Sequence, residues 1–307
     1  MPDLAVVIVS WNVRELLASC LHSLFVDLAS SDGRSSVWVI DNASTDGTPE
    51  MVTECFPQVQ LVAQDENLGF SAGNNVVLSR LTHESPPTGS PSYLWLLNPD
   101  TEVKPGAAAT LIRALDRHPQ AGMVGAKLLY PNGLLQHGAF RFPGLAQLAF
   151  ELFPLPQHLY ETRLNGRYPT HFYQKADPFR VDHPLGASMM VRADAVADVG
   201  LLDERYRMYC EEIDWCWRMQ RAGWTRLCAP AAEVIHHGGQ STSQVPIPSF
   251  VDLWTSRARL YARHHGSTTW LLAQAMVRAG MRRRMESAEP EMVEACRDII
   301  RAWRDAR

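Results

Sequence analysis

The sequence predicts an α/β fold in which helices flank a doubly wound, mostly parallel central sheet. Three apolar segments of strand length, at 4–10, 37–41 and 59–63, alternate with segments of helical periodicity. A fourth segment, 93–97, is a continuous run of apolar and aromatic residues, the pattern of a parallel strand covered on both faces. Pro99 ends this strand because proline has no backbone N–H to donate to a neighbouring strand.

The helices of the first half are predicted from caps and periodicity. Asn12 is the expected N-cap of the first helix, and Glu15, three residues later, completes a capping box. Residues 49–56 predict a short second helix. Ser71 is the expected start of a third helix, in a loop where the glycines at 69 and 73 allow close backbone approach.

The second half alternates less regularly. A helix at 107–115, preceded by Pro105, and a strand at 121–130 continue the α/β pattern. Residues 140–179 are rich in proline and aromatic residues without a sustained period, which indicates either a functional loop over a site or a packed excursion. Further predicted elements are a loop at 84–92, a strand at 183–192, a helix at 211–222 ended by Gly223, and a helical tail at 248–307.

Composition limits the class of protein. The 307 residues are 46% hydrophobic and 20% charged, as in ordinary soluble globular proteins, and the net charge of -4 gives no reason to expect nucleic acid as a partner. No apolar stretch approaches the length that spans a bilayer, and the N-terminal pattern is not that of a signal peptide. The six cysteines show no CxxC pair and no zinc spacing, so we expect reduced thiols in a cytoplasmic protein.

Polar side chains follow three of the predicted strands. Ser10 and Asn12 follow the first strand, Asp41 ends the second, and Asn98 and Asp100 follow the buried strand at 93–97. The carboxyl ends of parallel strands meet at one edge of a sheet, so these side chains and the glycine-containing loop predict a nucleotide-binding crevice. It is neither a P-loop nor a dinucleotide site, because both glycine fingerprints are absent from the sequence.

Two further groups of polar residues each have a functional and a structural interpretation. Asp100 with His236 suits Mg²⁺ or Mn²⁺ beside a diphosphate, although His236 and its neighbour also fit loop histidines without a ligand. Glu212 and Asp214 lie near the start of a predicted helix, where acids complement the helix dipole. Asp214 can pair with Arg218 four residues on, or one of the acids can act as a general base.

Together these segments resemble the inverting family 2 glycosyltransferases of GT-A fold, and within them the bacterial rhamnosyltransferase-like branch. The resemblance covers about residues 4–245, and its motifs occur in the family's order. The motifs are VIVSWN at 7–12, VIDNASTDG at 39–47, ENLGFSAGN at 66–74, LNPD at 97–100, LGA at 185–187, EEIDW at 211–215 with Arg218, and VIHHGGQS at 234–241.

The resemblance implies roles for individual residues. Asp41 resembles the acid that contacts the nucleotide base, helped by Ser10 and Asn12. Residues 98–100 occupy the place of the DxD motif, with Asn98 replacing the first Asp and Asp100 as the metal ligand. The other implied contacts are His236 at the metal and, along the nucleotide-sugar, Asn67, Gly69, Phe70, Gly73, Asn74, Gly186 and Ala187.

The implied catalytic base shows a departure from the family pattern. The branch usually has Glu-Asp-x-Asp, with the second acid taking the proton, and this chain has Glu212 at that position. Glutamate is one methylene longer than aspartate. Either Glu212 acts directly, or it is displaced, or Asp214 takes the role.

The resemblance also implies the substrates and cofactor. We expect a nucleoside-diphosphate sugar donor, Mg²⁺ or Mn²⁺, and a glycan or lipid-linked glycan acceptor in cell-surface polysaccharide synthesis. The branch suggests dTDP-rhamnose, with UDP-sugars as the alternative donors. A non-catalytic nucleotide- or carbohydrate-binding homologue is the second interpretation. A sugar nucleotidyltransferase is disfavoured because Ser10 to Asn12 do not form the glycine-rich, basic loop that it needs after its first strand.

The expected domain organisation is a GT-A catalytic domain at 1–245 and a helical extension at 246–307. The catalytic domain divides into a nucleotide-sugar-binding half, 1–130, and an acceptor and catalytic half, 131–245. In the extension, an apolar segment beginning at Trp270 is interleaved with arginines at 278 and 282–284. Such a helix either contacts the inner face of the plasma membrane peripherally or packs on the catalytic domain with a solvated basic edge.

Overall fold

The structure is a computed structural model that describes residues 3–30, 33–82, 91–240 and 242–307. Most of the loop predicted at 84–92, and Ser241 of the VIHHGGQS segment, lie outside these described residues. The strands are β1 (Leu4–Ser10), β2 (Ser35–Asp41), β3 (Gln60–Ala63), β4 (Tyr93–Leu97), β5 (Thr101–Val103), β6 (Ala121–Leu129), β7 (Leu135–Gln136), β8 (Ala139–Phe140), β9 (Phe179–Val181), β10 (His183–Pro184), β11 (Ser188–Arg192) and β12 (Thr225–His236).

Helices connect and cover these strands, and three of them follow the last strand. The helices are α1 (Arg14–Ala29), α2 (Thr48–Cys55), α3 (Gly69–Thr82), α4 (Ala107–Arg117), α5 (Leu145–Leu152), α6 (Ala193–Val199), α7 (Glu211–Arg221), α8 (Pro246–His264), α9 (Ser267–Met285) and α10 (Pro290–Asp305). Among the described residues, none of these helices is both long and apolar enough to cross a membrane.

The central sheet has the order β3-β2-β1-β4-β11-β6-β12-β5. Strands β3, β2, β1 and β4 pair in parallel, as do β6 and β12, while β11 lies antiparallel between β4 and β6. The predicted mostly parallel, helix-flanked sheet is therefore confirmed. The parallel arrangement brings the ends of β1, β2 and β4 to one edge, as the polar residues after these strands predicted.

Alternate residues of the buried strands face two separate hydrophobic layers, as the period of two requires. Val6, Ile8 and Trp95 pack into the layer that contains α1 and α4. Val7 and Leu96 pack into the other, which contains α3, α6 and α7. The sheet is thus covered by helices on both faces, which explains why its central strands are continuously apolar.

The prediction of one strand at 183–192 is wrong. His183–Pro184 (β10) pairs with β8 in a separate two-stranded sheet, and Ser188–Arg192 (β11) belongs to the central sheet. The LGA segment at 185–187 turns between them. Continuous apolar character does not reveal such a break, because both strands are buried.

The predicted helix starts at Asn12 and Ser71 are also wrong. Val13 is the N-cap residue of α1, and Asn12 has a left-handed backbone with φ of 51°. Its side-chain Oδ1 accepts a hydrogen bond from Thr45 N at 2.8 Å, so a distant loop takes the oxygen that the local pattern assigned to a cap. Helix α3 begins at Gly69, and Ser71 is buried within its first turn.

The C-terminal helices form a third hydrophobic cluster together with α5. Trp270 stacks on Trp303 with ring centroids 5.4 Å apart, and the indole N–H of Trp303 donates to the carbonyl of Trp254 at 2.9 Å. The predicted helical tail is confirmed, and one face of α9 packs against the rest of the protein. The domain boundary at 245 stays a prediction.

Candidate active site

A cleft with a volume of about 270 Å³ lies at the edge where β1 and β4 end. Helix α7 and the turn at 185–187 close its opposite side. The residues that line it are Val9, Ser10, Trp11, Asn42, Asn67, Gly69, Phe70, Asn98, Pro99, Asp100, Leu185, Gly186, Ala187, Met208, Tyr209, Glu211, Glu212, His236, Gly239 and Gln240.

Asp41 lies next to Ser10 of the cleft lining but does not itself line the cleft. The strand register places Asp41 opposite Ser10, and Asp41 is almost fully buried. Its Oδ2 accepts a hydrogen bond from Ser44 N at 2.9 Å. Within the described chain, its Oδ1 and the hydroxyl of Ser10 have no hydrogen-bond partner. A buried carboxylate oxygen without a donor is costly in a folded protein, so this pair has the polar capacity to bind a donor group of a ligand.

The loop before α3 is fixed by backbone contacts. Gly69 has a φ of +80°, and a Cβ there would lie 2.5 Å from the carbonyl oxygen of Arg207. Phe70 N donates to that same oxygen at 2.8 Å, while Asn67 Oδ1 accepts from Gly69 N at 2.9 Å. Asn42 Nδ2 adds a bond to the carbonyl of Gly69 at 3.1 Å. Glycine at 69 is therefore required for the chain segments on either side of the cleft to approach each other.

Two predicted binding residues of this loop lie behind the cleft. Gly73 packs α3 on β1, because a Cβ at this position would lie 3.0 Å from Val9 Cγ1. Asn74 Nδ2 donates to the carbonyl of Phe70 at 2.9 Å, one turn earlier in the helix. Both residues therefore support the loop rather than line the cleft.

Asp100 and His236 form a buried pair at the floor of the cleft. His236 Nε2 lies 3.5 Å from Asp100 Oδ1, and both side chains are 8% exposed. On its other side, His236 Nδ1 lies 2.9 Å from Gln136 Oε1, an oxygen that can only accept. Nδ1 therefore carries the hydrogen, and Nε2 presents a lone pair towards Asp100.

The electrostatics of Asp100 favour its charged form. Burial raises the pKa of its carboxyl group, but the nearby imidazole of His236 and the backbone N–H of Gln240 outweigh burial and lower the pKa below its ordinary value. Asp100 is an anion at neutral pH, held against a neighbouring imidazole nitrogen.

These two side chains fit a divalent cation bound together with a diphosphate. In the part of the chain that the structure describes, His236 Nε2 has no hydrogen-bond partner. A buried, lone-pair-bearing nitrogen beside a carboxylate oxygen is a donor set that Mn²⁺ and Mg²⁺ accept. The described residues contain no group of three or more His, Cys, Asp or Glu side chains that could hold a metal alone. Ligand oxygens would have to complete the coordination.

Glu211 and Glu212 begin α7 on the side that faces the cleft. Two successive residues with left-handed backbone, Tyr209 at φ of 67° and Cys210 at 69°, precede them. Such conformations cost energy in non-glycine residues and cluster at functional sites. Gly186 approaches Glu212 closely, since a Cβ at residue 186 would lie 4.0 Å from Glu212 Cγ.

The two glutamates are buried, and their polar contacts offset only part of the cost of burial. Oε2 of each has no hydrogen-bond partner among the described residues. Burial raises the pKa of Glu212 from an ordinary 4.5 to about 7. Burial and the charge of Glu212 raise the pKa of Glu211 well above its ordinary value. Because the two carboxyl groups interact, they titrate as a pair, and burial keeps this pair protonated to a higher pH than free glutamates.

Asp214 has a different environment, although it is only two residues from Glu212. It is fully buried, faces α8 and does not line the cleft. Its Oδ2 accepts from Arg218 Nε at 2.8 Å, and its Oδ1 lies 2.7 Å from His264 Nε2 and 3.1 Å from Arg263. Burial raises the pKa of Asp214, but these three partners outweigh it and lower the pKa.

The structure thus brings together most of the residues predicted for the site. Ten of them line the cleft, namely Ser10, Asn67, Gly69, Phe70, Asn98, Asp100, Gly186, Ala187, Glu212 and His236. Asn12, Asp41, Gly73, Asn74 and Asp214 lie outside its lining. Sequence reasoning missed Gln136 and Tyr209. Neither belongs to a motif of the sequence, and only the pairing of β7 with β6 and the backbone before α7 bring them to the site.

Comparisons with known proteins identify the family to which the chain belongs. Residues 5–198 match the family described as "Glycosyl transferase family 2". The N-acetylglucosaminyl-diphospho-decaprenol L-rhamnosyltransferase of Mycobacterium tuberculosis is 31% identical over 278 residues, which cover 88% of this chain and 84% of that protein. The chain therefore belongs to glycosyl transferase family 2, and the predicted membership, with its rhamnosyltransferase-like character, is confirmed.

Solved structures support the fold. GalNAc-T7, crystallised with UDP, GalNAc and Mn²⁺, superposes with a TM-score of 0.62 at 16% identity. The match covers 98% of this chain and 54% of GalNAc-T7. The mannosyltransferase PcManGT of Pyrobaculum calidifontis, in complex with GDP-Man and Mn²⁺, has a TM-score of 0.56 at 12% identity, with 99% of this chain covering 87% of that one. At these identities the likeness confirms the predicted GT-A fold alone.

Proposed function

We propose that this protein is an inverting glycosyltransferase that moves a sugar from a nucleoside-diphosphate sugar to a hydroxyl group of a lipid-linked glycan in cell-surface polysaccharide synthesis. The observation that carries the proposal is the placement of Glu212, with a pKa of about 7, in the same cleft as the Asp100–His236 pair. A base and a cation-binding site that face one cleft are what transfer from a diphosphate leaving group requires, because the cation offsets the charge of the diphosphate.

The donor proposed is dTDP-rhamnose, because the relative from Mycobacterium tuberculosis carries the name of an L-rhamnosyltransferase. A UDP-sugar is the second candidate. Asp41 and Ser10 would bind the nucleotide base, because each has a buried oxygen without a hydrogen-bond partner among the described residues. The residues proposed to hold or shape the donor site are Ser10, Asn12, Asp41, Asn67, Gly69, Phe70, Gly73, Asn74, Asn98, Gly186 and Ala187.

Asp100 and His236 are proposed to hold Mg²⁺ or Mn²⁺. A cation bound there would offset the negative charge that develops on the leaving diphosphate. Gln136 fixes the His236 tautomer by accepting the Nδ1 hydrogen. Gln240, through its backbone N–H, helps to keep Asp100 ionised.

Glu212 is proposed as the general base, in preference to Asp214. Its carboxylate removes the proton of the acceptor hydroxyl while that oxygen attacks the anomeric carbon. The bond from this carbon to the diphosphate oxygen breaks, and the diphosphate leaves with the electron pair. Attack from the face opposite the leaving group inverts the anomeric configuration. Asp214 is unsuited to this role because three cationic or imidazole donors already occupy its oxygens.

The name of the relative includes N-acetylglucosaminyl-diphospho-decaprenol, which is a lipid-linked sugar. If this chain also uses a lipid-linked acceptor, the enzyme works at the cytoplasmic face of a membrane. A peripheral contact is proposed for the exposed face of α9. Leu271 and Leu272 are 62% and 50% exposed, and Arg282 and Arg283 lie about three turns further along the helix. Flotation with anionic liposomes tests this contact, and equal recovery of wild type and a Leu271→Ser/Leu272→Ser variant would contradict it.

The experiment that tests the proposed function is a panel of nucleotide-sugars scored for release of nucleoside diphosphate, with Mn²⁺ or Mg²⁺ and with chelator. We expect slow hydrolysis of one donor, lost with chelator and in Asp100→Ala. Asp298→Ala, a carboxylate on α10 with an exposed ion pair, is the matched control and should behave as wild type. Binding of a nucleoside diphosphate without turnover, even with a lipid-linked acceptor present, would instead support a non-catalytic homologue.

A further inference from the structure

A second cavity, of about 440 Å³, lies directly behind the catalytic base. It shares Leu185, Tyr209 and Glu212 with the cleft, so Glu212 borders both spaces. Helices α5, α7 and α8 and the irregular segment after α5 form its walls. A molecule in this cavity therefore contacts Glu212, whereas Asp100 and His236 line the cleft alone.

The lining of the second cavity suits a sugar ring. Phe140, Tyr160 and Tyr261 offer aromatic surface. Gln147 Nε2 can donate to a ligand and Asn165 Oδ1 can accept from one, while Gln147 Oε1 already accepts from Gly144 N and Asn165 Nδ2 already donates to the carbonyl of Tyr160. Pockets that combine aromatic surface with a few convergent polar groups are typical of small polar ligands. The segment 140–179, predicted as either a functional loop or a packed excursion, supplies much of this lining.

A third cavity, of about 560 Å³, continues from the second. The two share Glu151, Leu253 and Arg257. Arg257 also acts on the site electrostatically, because its charge lowers the pKa of Glu212 against the larger, opposite effect of burial. The three spaces therefore border one another in series, from the cleft, past Glu212, to the surface between α5, α8 and α9.

The third cavity is cationic and bordered by apolar surface. Arg257, Arg283 and Arg284 line it together with Phe250 and Trp254. Arg257 pairs with Glu151. Among the ion pairs of the described residues, neither Arg283 nor Arg284 has a carboxylate partner, and Arg284 instead lies 4.6 Å from the ring centroid of Phe250. Two arginines without acids leave their donors available to an anion that enters the cavity.

We propose that the second cavity binds the sugar of the acceptor and that Arg257, Arg283 and Arg284 bind the diphosphate that joins this sugar to its lipid. The proposal rests on the proposed function and assigns its acceptor site. Arginine is suited to the role because its planar guanidinium group binds phosphate oxygens through two parallel hydrogen bonds. The apolar borders at Phe250 and Trp254 fit the first units of a lipid chain beyond the diphosphate.

The test compares two acceptors in each enzyme. One is an N-acetylglucosaminyl diphosphate with a short alkyl chain, and the other is the matching alkyl N-acetylglucosaminide without the diphosphate. Wild type should prefer the diphosphate acceptor in kcat/KM. Since a hydrogen bond to a charged group contributes about 1.5–3 kcal/mol, each of Arg257→Gln, Arg283→Gln and Arg284→Gln should reduce this preference about 10- to 100-fold, through the KM of the diphosphate acceptor.

Arg297→Gln is the matched control, because Arg297 is an exposed arginine on the neighbouring helix α10 and does not line the cavity. It should keep the wild-type preference. Arg283 and Arg284 are exposed, so their variants report on binding even if Arg257→Gln, which also loses its pair with Glu151, folds poorly. An unchanged acceptor preference in the Arg283 and Arg284 variants, with wild type active on both acceptors, would overturn the acceptor site. Failure of wild type to release nucleoside diphosphate from any donor would instead overturn the proposed function, and the acceptor site with it.

Discussion

The two faces of α7 carry carboxyl groups in opposite electrostatic states. On the cleft face, Glu212 is buried without a partner for one oxygen in the described chain, and its pKa is raised to about 7. On the face towards α8, Asp214 is buried more completely, yet Arg218, His264 and Arg263 lower its pKa. Burial alone therefore does not set the pKa of an acid. Whether the pKa is raised or lowered depends on the hydrogen-bond donors and positive charges around the carboxyl group.

The same contrast extends beyond the helix. The cleft side collects buried oxygens without partners in the described residues, on Ser10, Asp41 and Glu211 as well as Glu212. On the α8 side both oxygens of Asp214 have partners, and so does the indole of Trp303, while Arg218 Nη2 and Tyr206 Oη have none among the described residues. Buried polar atoms without partners lower the stability of the fold, but they are available to bind a ligand. The cleft face of α7 therefore serves ligand binding at a cost in stability, and the contacts of the α8 face fix the position of α7.

The largest expected effect comes from removing the ionisable group on the cleft face. Glu212→Gln should lower kcat about 1,000-fold, since general base catalysis contributes roughly 10²–10⁴-fold. Glu211→Gln should cost far less, because the raised pKa of Glu211 keeps it protonated and glutamine resembles that state. Steady-state transfer rates measure both, and equal losses in the two variants would remove the distinction between the two glutamates.

The second test breaks the paired face. Asp214→Asn removes the anion but leaves Arg218, Arg263 and His264 facing each other, and removing one partner of a buried ion pair typically costs about 3 kcal/mol. We expect a loss of this size in the free energy of unfolding in urea, with kcat within about threefold of wild type below the unfolding transition.

Asp198→Asn is the control for this change, because its carboxylate is exposed and accepts a single bond from the Trp224 indole at 2.9 Å. It should lower stability by about 0.5 kcal/mol or less. A different result would contradict these roles. If the Asp214→Asn variant kept wild-type stability but lost as much activity as Glu212→Gln, Asp214 rather than Glu212 would be the base.

The smallest expected effect is a difference in how stability depends on pH. Between about 4.5 and 7, the unfolded chain releases the Glu212 proton while the folded protein keeps it. The folded state then binds more protons, so this group makes stability fall as pH rises across that range. Glu212→Gln should lack the part of the decline that Glu212 contributes, while Glu211 keeps its own part, and the variant should be more stable than wild type at pH 7.

Urea unfolding of both proteins at several pH values between 4.5 and 8 measures the difference. The same ionisation should make kcat/KM of wild type rise with pH through about 7. Parallel stability curves for wild type and Glu212→Gln would mean that Glu212 is not held protonated in the fold.

Motifs and strand ends were readable from the sequence because they follow local rules. The continuous apolar run that ends at Pro99 predicted a buried strand, and Asp100 after it was correctly placed at the carboxyl edge of the sheet. Helix starts were less accessible, as Asn12 shows. Its side chain fits a cap by the local pattern, but a bond to Thr45, 33 residues away, takes its oxygen instead.

The sequence by itself determined the fold class, the family and the set of acids and glycines from which the site is built, since periodicity and motif spacing are local properties of the chain. Only the tertiary structure decided which of these acids faces the cleft. Glu212 and Asp214 have similar neighbours in sequence, but α7 turns them towards different surroundings. Gln136 and Arg257 likewise come to the site from distant segments, because strand pairing and helix packing, rather than any local pattern, bring them there.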